Sequence, residues 1–434
     1  MGADDREILR LAVPAFGALV AEPLYVLADT AVVGHLGTDQ LAGLGVASSV
    51  LLTAYFLFVF LAYGTTGAVA RLLGADDHHE AARQGLQGMW LALVLSIFVG
   101  VGLALTAPAV VGLLGADGAV RTNALVYLRI SLLGTPALFV TMAGTGYLRG
   151  LQDTRTPLVV AVATSVANLA IQLFLIYALG FGIGASAAST VIAQTAGAAV
   201  YVLHVIRSAR SLGVPLGPDP ASIRHLGRVG WDLFVRTAAL RGSLLVATAV
   251  VTRMGRIEVA AHQIAFEIWS FLALSLDAIV IAGQAITGRA LGAGDVDGAH
   301  RAGRRMLQWG LGAGLLGALL VVALRPWLGE LFSDDQAVVS LAGFLFWWVA
   351  ALQPVNGVVF VLDGLLMGAG DVRFLARAMV AAFGVFVIAA IAVLVTGAGI
   401  GWLWAALAVL MTARLIPLRR RFDQGAWAVT GASR

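Results

Sequence analysis

The sequence predicts an all-α membrane protein with twelve transmembrane helices in two six-helix lobes, related by a pseudo-two-fold axis along the membrane normal. Three observations predict it. Of 434 residues, 60% are hydrophobic and only 12% charged, against roughly 25% charged in an average globular protein. Apolar runs of 20 or more residues recur along the chain, each long enough to cross a hydrocarbon core ~30 Å thick as a helix. They lack the period-two alternation of membrane β-strands. Finally, three widely spaced segments repeat at a single offset of 218 residues.

The first span, 10–33, follows an acidic stretch, MGADDREILR. That stretch does not read as a signal peptide, having neither a basic start nor a small-residue cleavage site. Pro14 and Pro23 within the span each remove a helix hydrogen bond and permit a bend; the span also carries Glu22 and Asp29. The second span is 43–70. Asp77, with Glu80 three residues later, then reads as an N-cap and capping box for the third span, 86–113. This accounts for the DDHHE cluster better than a metal site does, and no metal is expected. Span four, 122–145, carries Arg129; spans five and six are 157–179 and 184–205. They complete an N-lobe, 1–206. Residues 207–228, rich in Pro, Gly and Ser, read as a cytoplasmic linker with one short helical stretch.

The C-lobe, 229–417, begins with 229–252, which holds Arg236 and Arg241, and 259–288, which holds Glu267 and Asp277. Asp295 caps the next span, 305–324; then come 338–362, with Asp363 at its end, 375–396 and 399–417. Residues 418–434 form a cytoplasmic tail. GAGLLG at 312–317 has the form of a dinucleotide loop, but no strand precedes it. Its glycines fit close helix approach in a membrane. Trp231, Trp402 and Trp404 read as interface anchors.

Arginine concentrates in the loops after the even-numbered spans and in the tail, which places both termini in the cytoplasm. The repeat joins Thr30-Ala31-Val32-Val33 to Thr248-Ala249-Val250-Val251, 71–85 to 289–303, and Gly150 and Asp153 to Gly368 and Asp371. Six spans per repeat insert both lobes in the same orientation, as in parallel-repeat transporters. Cysteine is absent and all 28 basic residues are arginine. This excludes thiol nucleophiles, iron–sulfur clusters, the P-loop lysine and Schiff-base chemistry. With no nucleophile motif either, the chain does not read as an enzyme and no cofactor is expected. The net charge of +4 is spread between apolar runs and is no nucleic-acid signal.

A charge at the bilayer centre costs ~2.5–3.5 kcal/mol on insertion scales, so buried charges face a cavity or a partner. Glu22 and Asp29, seven residues apart, share a helix face. Their repeat positions are Leu240 and Ala247, and spans 1, 2, 3, 5 and 6 hold no basic residue deep enough to neutralise them. A carboxyl group with no basic partner, away from water, is a candidate proton carrier; on a helix with two prolines it is a candidate switch. A hydrated carboxylate near the outer interface is the bland alternative. In the C-lobe the acids Glu267, Asp277 and Asp363 come with Arg236 and Arg241. They read as a structural ion-pair network, with a gating or second coupling site as the alternative.

The stretches LADTAVVGHLGTDQLAGLGVA, GYLRGLQDTRTP, DLFVRTAAL, AAHQIAFEIWSFLALSLDAIVIAGQA and VLDGLLMGAGD together resemble the multidrug and toxic-compound extrusion (MATE) family, in its DNA-damage-inducible, DinF-like bacterial branch. The resemblance covers nearly the whole chain. It implies two lobes around a central cavity that opens to each side in turn, and export of cationic or amphipathic organic compounds in exchange for H⁺ or Na⁺. The family's coupling aspartate in the first helix maps onto Asp29 and its bend-forming proline onto Pro14. Its fifth-helix Asn is kept as Asn168, but the acid of many members four residues on is Gln172, which puts more weight on Asp29 and disfavours Na⁺ there. The sixth-helix polar position fits Thr190, and Glu267 stands where the branch usually has a neutral residue. Candidate cavity residues are Tyr25, Asn168, Gln172, Thr190 and Gln194.

The expected function is proton-coupled export of small organic compounds through Asp29 by a monomer in the bacterial inner membrane. The rivals are a Na⁺-coupled antiporter using C-lobe acids and a flippase for lipid-linked intermediates.

Overall fold

Most helices part at a glycine or aspartate between the apolar runs, although α11 and α12 run through internal glycines and one break falls at residues 57–59, which hold neither. The computed structural model describes residues 2–432, and these are helical with short connections and no strand among them. In chain order the helices are α1 (Ala3–Gly34), α2 (Thr38–Phe56), α3 (Phe60–Gly74), α4 (His78–Leu113), α5 (Gly118–Leu132), α6 (Thr135–Gly150) and α7 (Arg155–Leu173), the last continued by a π-turn, Phe174–Ala178. Then follow α8 (Ile183–Ser211), α9 (Pro220–Thr252), α10 (Arg256–Gly292), α11 (Val296–Leu328), α12 (Gln336–Gly368), α13 (Val372–Thr396) and α14 (Ile400–Asp423). Eleven stretches are long and apolar enough to span a membrane, α2 and α3 together forming one of them. The pair α5–α6, bent by 51°, makes a twelfth. The spans therefore fall where hydropathy placed them, and the protein is a multi-pass membrane protein.

The repeat is visible in the backbone. α1 and α9 end at Gly34 and Thr252, α3 and α10 at Gly74 and Gly292, α6 and α12 at Gly150 and Gly368, each pair 218 residues apart. Left-handed residues recur at the same offset: Asp76 (φ 58°) with Gly294 (78°), and Gln152 (62°) with Gly370 (69°). Caps recur as well. Asp77 accepts the Glu80 amide at 2.9 Å and Asp295 that of Gly298 at 2.7 Å, each satisfying an orphan donor of a helix start. Glu80 does not close the expected capping box; its carboxylate pairs with Arg83 at 2.7 Å instead. Packing repeats too. A Cβ on Gly146 would stand 2.4 Å from the Ala62 carbonyl oxygen, and one on Gly364 would stand 2.7 Å from that of Val280. In both repeats glycine is what lets the two backbones touch.

The chain forms two compact units, Gly17–Gly230 and, separately, Trp231 onward together with the start of α1 up to Phe16. The first differs from the sequence-based lobe 1–206 at both ends, for identifiable reasons. At the start, Asp5 accepts Arg305 Nε at 2.6 Å and Trp309 Nε1 at 2.9 Å, both on α11. At the end, the linker is clasped to α4: Gln87 and Trp90 donate to the Gly217 and Leu216 carbonyls at 3.0 and 3.1 Å, and Arg83 to Asp219 at 2.8 Å. The Ser222 hydroxyl and the Ala221 amide, helped by Arg83, hold the Asp219 carboxyl below the usual range. The core of Gly17–Gly230 gathers Val33, Leu44, Ala47, Val111, Leu128 and Ala187. That of the other unit gathers Ala247, Leu345, Phe346, Phe386, Leu403 and Trp404. Trp404 is thus no interface anchor: it is fully buried, its ring 5.7 Å from His262 and 6.2 Å from Trp269. Trp231 and Trp402 are exposed.

Candidate functional site

Three helices of Gly17–Gly230 each contribute two polar residues four positions apart, so each pair stacks on one helix face. The pairs are Tyr25 and Asp29 on α1, Asn168 and Gln172 on α7, and Ser186 and Thr190 on α8. Together they make two polar layers.

In one layer Asp29 Oδ1 accepts two hydrogen bonds, from Gln172 Nε2 at 2.6 Å and from Ser186 Oγ at 2.5 Å. In the other, the Tyr25 hydroxyl meets Thr190 Oγ1 at 2.8 Å, and Asn168 Nδ2 donates to the same oxygen at 3.1 Å. Thr190 joins the layers by donating to the Ser186 carbonyl at 3.0 Å. Tyr127 of α5, also buried, has its hydroxyl against Ser186 and Thr190. Asp29 is only 5% exposed, and no arginine or histidine forms an ion pair with it among the described residues. Two further acceptors in the site, Asn168 Oδ1 and Gln172 Oε1, are buried without a donor. Such groups are costly unless another state of the site pairs them.

The second repeat lacks most of this chemistry, keeping only a buried hydroxyl, Ser243, at the place of Tyr25. At offset 218 the places of Asp29, Asn168 and Gln172 are taken by Ala247, Phe386 and Ala390. Beyond the next turn GFGIG (180–184) aligns with GAGIG (397–401), an offset of 217, so Ser186 and Thr190 correspond to Leu403 and Leu407. All five replacements are buried in one apolar core. Why the offset drops by one is visible in the helix. Asp153 to Gly180 spans 27 steps and Asp371 to Gly397 spans 26, and the π-turn Phe174–Ala178 holds the surplus residue just after Gln172. π-turns of this kind concentrate at functional sites.

The other sequence candidates lie apart from the Asp29 layers. Glu22 shares the α1 face but is exposed. Pro14 and Pro23 sit inside an unbroken α1, on either side of the Phe16/Gly17 division between units. Gln194, one turn beyond Thr190, lies at the α5–α6 bend, its Oε1 3.2 Å from where a Cβ on Gly134 would stand.

Among the C-lobe charges, Asp363 Oδ2 accepts Arg236 Nη2 and Arg414 Nη2, both at 2.5 Å, with all three groups buried. Asp277 adds its charge near Arg414. Arg241 is half-buried, and Glu267 is exposed, accepting from Gln263 at 3.1 Å. Ser186, Tyr127 and Arg414 were absent from the sequence-based set. Ser186 was findable as the partner of Thr190 at the spacing seen in α1 and α7, and Arg414 as an arginine inside an apolar span.

A family model described as MatE matches residues 14–174 and again 234–393, once in each repeat. Protein DETOXIFICATION 44, chloroplastic, of Arabidopsis thaliana is 34% identical over 449 residues, covering 98% of this chain and 82% of that protein. DNA damage-inducible protein F of Escherichia coli (strain K12) is 27% identical, covering 98% of this chain and 94% of its own length. Among solved structures, one of MATE in the bent conformation superposes with a TM-score of 0.88 at 21% identity, covering 99% of this chain and 96% of the other.

Proposed function

This chain belongs to the MatE family, a family of transporters and not enzymes, and from that premise we propose that it exports small organic compounds in exchange for protons, with Asp29 as the proton carrier. The observation that carries the reading is the buried Asp29 carboxylate, held by two neutral donors and by no base. A salt-bridged acid would stay ionised; a neutrally bonded one can exchange its charge for a proton without leaving a cation stranded.

Protonation also has somewhere to be felt. A carboxylate only accepts, whereas a carboxylic acid donates one bond as well. The Gln172 and Asn168 amide oxygens are the free acceptors on the facing helix. Taking up a proton therefore re-pairs α1 against α7 and α8 and favours a bend at Pro14 or Pro23, the change that expels substrate. One proton entering down 100 mV supplies ~2.3 kcal/mol. Substrates of cationic or amphipathic character fit an acid that is empty of protons when substrate is loaded. The arginine-rich loops after the even-numbered spans support a cytoplasmic position for both termini. We assign the chain to a bacterial cytoplasmic membrane and to a monomer.

The rival readings fare less well. Na⁺ coupling through C-lobe acids loses Asp363, whose carboxylate two arginines already hold, and Glu267, which stands apart from it on an exposed face. A flippase for lipid-linked intermediates should carry a large cationic cavity. The test is substrate uptake in proteoliposomes with pH and Na⁺ gradients varied independently. Transport that follows the pH gradient in wild type and is lost in Asp29→Asn supports the reading; transport that follows Na⁺ at fixed pH refutes it.

A further inference from the structure

On the unit that begins at Trp231, a groove of roughly 280 Å³ is lined by Arg304, Leu307, Gln308, Leu311, Val358 and Arg419. Four of these residues occupy one face of α11 at i, i+3, i+4 and i+7. The groove is divided by chemistry. Leu307, Leu311 and Val358 make an apolar floor. Arg304 and Arg419 lie one and two residues outside the apolar spans 305–324 and 399–417, at the level of lipid headgroups on the side that arginine placement makes cytoplasmic.

The polar lining is almost wholly donating. Arg304 makes no ion pair among the described residues. Arg419 pairs with Asp423 through Nε at 2.9 Å and lies over the Phe422 ring at 6.0 Å, while its terminal nitrogens make no hydrogen bond among the described residues. Gln308 uses its carbonyl oxygen to accept Arg305 at 2.6 Å, and its amide nitrogen has no acceptor among the described residues. No carboxylate lines the groove. Forked guanidinium donors suit a phosphate, and basic pockets between membrane helices on the cytoplasmic side take anionic headgroups.

The other repeat shows that this is not a feature of the fold as such. The counterparts of Arg304, Gln308 and Arg419 are Leu86, Trp90 and Val202. There the linker covers the surface, with Trp90 bonded to the Leu216 carbonyl.

We propose that this groove is a binding site for one anionic phospholipid of the cytoplasmic leaflet, its phosphate on Arg304, Arg419 and the Gln308 amide and an acyl chain along Leu307, Leu311 and Val358. The site is independent of the Asp29 coupling reading. It is tested by native mass spectrometry of the purified full-length protein, counting retained phosphatidylglycerol and phosphatidylcholine. An arginine near an anionic surface contributes about fivefold in affinity. Wild type should therefore keep one phosphatidylglycerol in preference to phosphatidylcholine, and Arg304→Gln/Arg419→Gln should weaken it by about 25-fold. Leu311→Trp, which leaves the charges and fills the floor, should also weaken it, while Arg207→Gln/Arg210→Gln on α8 should not. Equal retention of the two lipids by wild type, or an unchanged preference in the double variant, would overturn the proposal. So would loss in the charge variant alone, which means surface attraction without a groove, or displacement of the lipid by millimolar inorganic phosphate, which means a free-anion site.

Discussion

Gln172 donates its amide to the same carboxylate oxygen of Asp29, at 2.6 Å, that Ser186 reaches at 2.5 Å. Both donors favour the charged form, and a hydrogen bond to a charged group is worth about 1.5–3 kcal/mol. Gln172 can serve both forms, since its amide oxygen is open to the protonated acid, so Ser186→Ala is the cleaner variant and should move the midpoint of the transport–pH profile to more alkaline values by ~1 unit. Proteoliposome transport measured across pH checks this; an acid shift, or none, contradicts the assignment of Asp29.

The π-turn after Gln172 makes a second prediction. Deleting Tyr177, an exposed residue within Phe174–Ala178, removes the surplus residue and restores the register of the second repeat. This turns Asn168 and Gln172 by about 100° relative to the turn at Gly180, one residue of a helix with 3.6 per turn. Transport should be abolished while helical content and thermal stability hold. Wild-type transport in the deletion variant would show that the π-turn plays no part in placing Gln172.

Asp363 holds two buried guanidiniums. Removing it takes away the carboxylate that both guanidiniums share, leaving Asp277 as the remaining charge near Arg414, so Asp363→Ala should destabilise the protein by about 3 kcal/mol. Replacing the whole set with Met at Arg236, Leu at Asp363, Met at Arg414 and Asn at Asp277, whose charge lies near Arg414, should recover much of that loss. Thermal melting of the detergent-solubilised variants separates this structural role from a coupling role. The combined replacement should keep proton-driven transport if the cluster is structural.

Asp219, outside the membrane, has its carboxyl held below the usual range by Ser222, the Ala221 amide and Arg83. A depressed folded-state value means the linker clasp is complete above the ordinary aspartate value and weakens as the pH falls below about 4. Limited proteolysis between Ser211 and Pro220 should accelerate over that acid range in wild type. In Asp219→Asn it should already be faster at neutral pH, with no further acid step from this group.

The twelve spans were legible because hydropathy and arginine placement act over whole segments, which no local packing overrides. Breaks within spans were not. Pro136 and Pro354 occupy the same repeat position, yet only the first sits at a break, beside Gly134, while α12 runs through the second. Asp29 stands out because a lone acid in an apolar run is expensive. Of its partners, Gln172 comes to notice only through the family resemblance and Ser186 does not, since a serine or glutamine in a membrane helix is cheap. Arg414 is as conspicuous as Asp29 by that measure, but its pairing with Asp363 joins residues 51 positions apart and is visible only in the fold. The π-turn was written in the sequence as a repeat offset falling from 218 to 217. It acquires meaning only once Gln172 is seen to touch Asp29.

The central claim is that Asp29 changes its protonation state during transport. Infrared difference spectroscopy of the reconstituted protein, titrated across the working pH range, observes this directly. The account predicts a carboxylic-acid band that grows as the pH falls in wild type and is missing from Asp29→Asn. A spectrum with no titrating carboxyl group, or one that Asp29→Asn leaves unchanged, would contradict it.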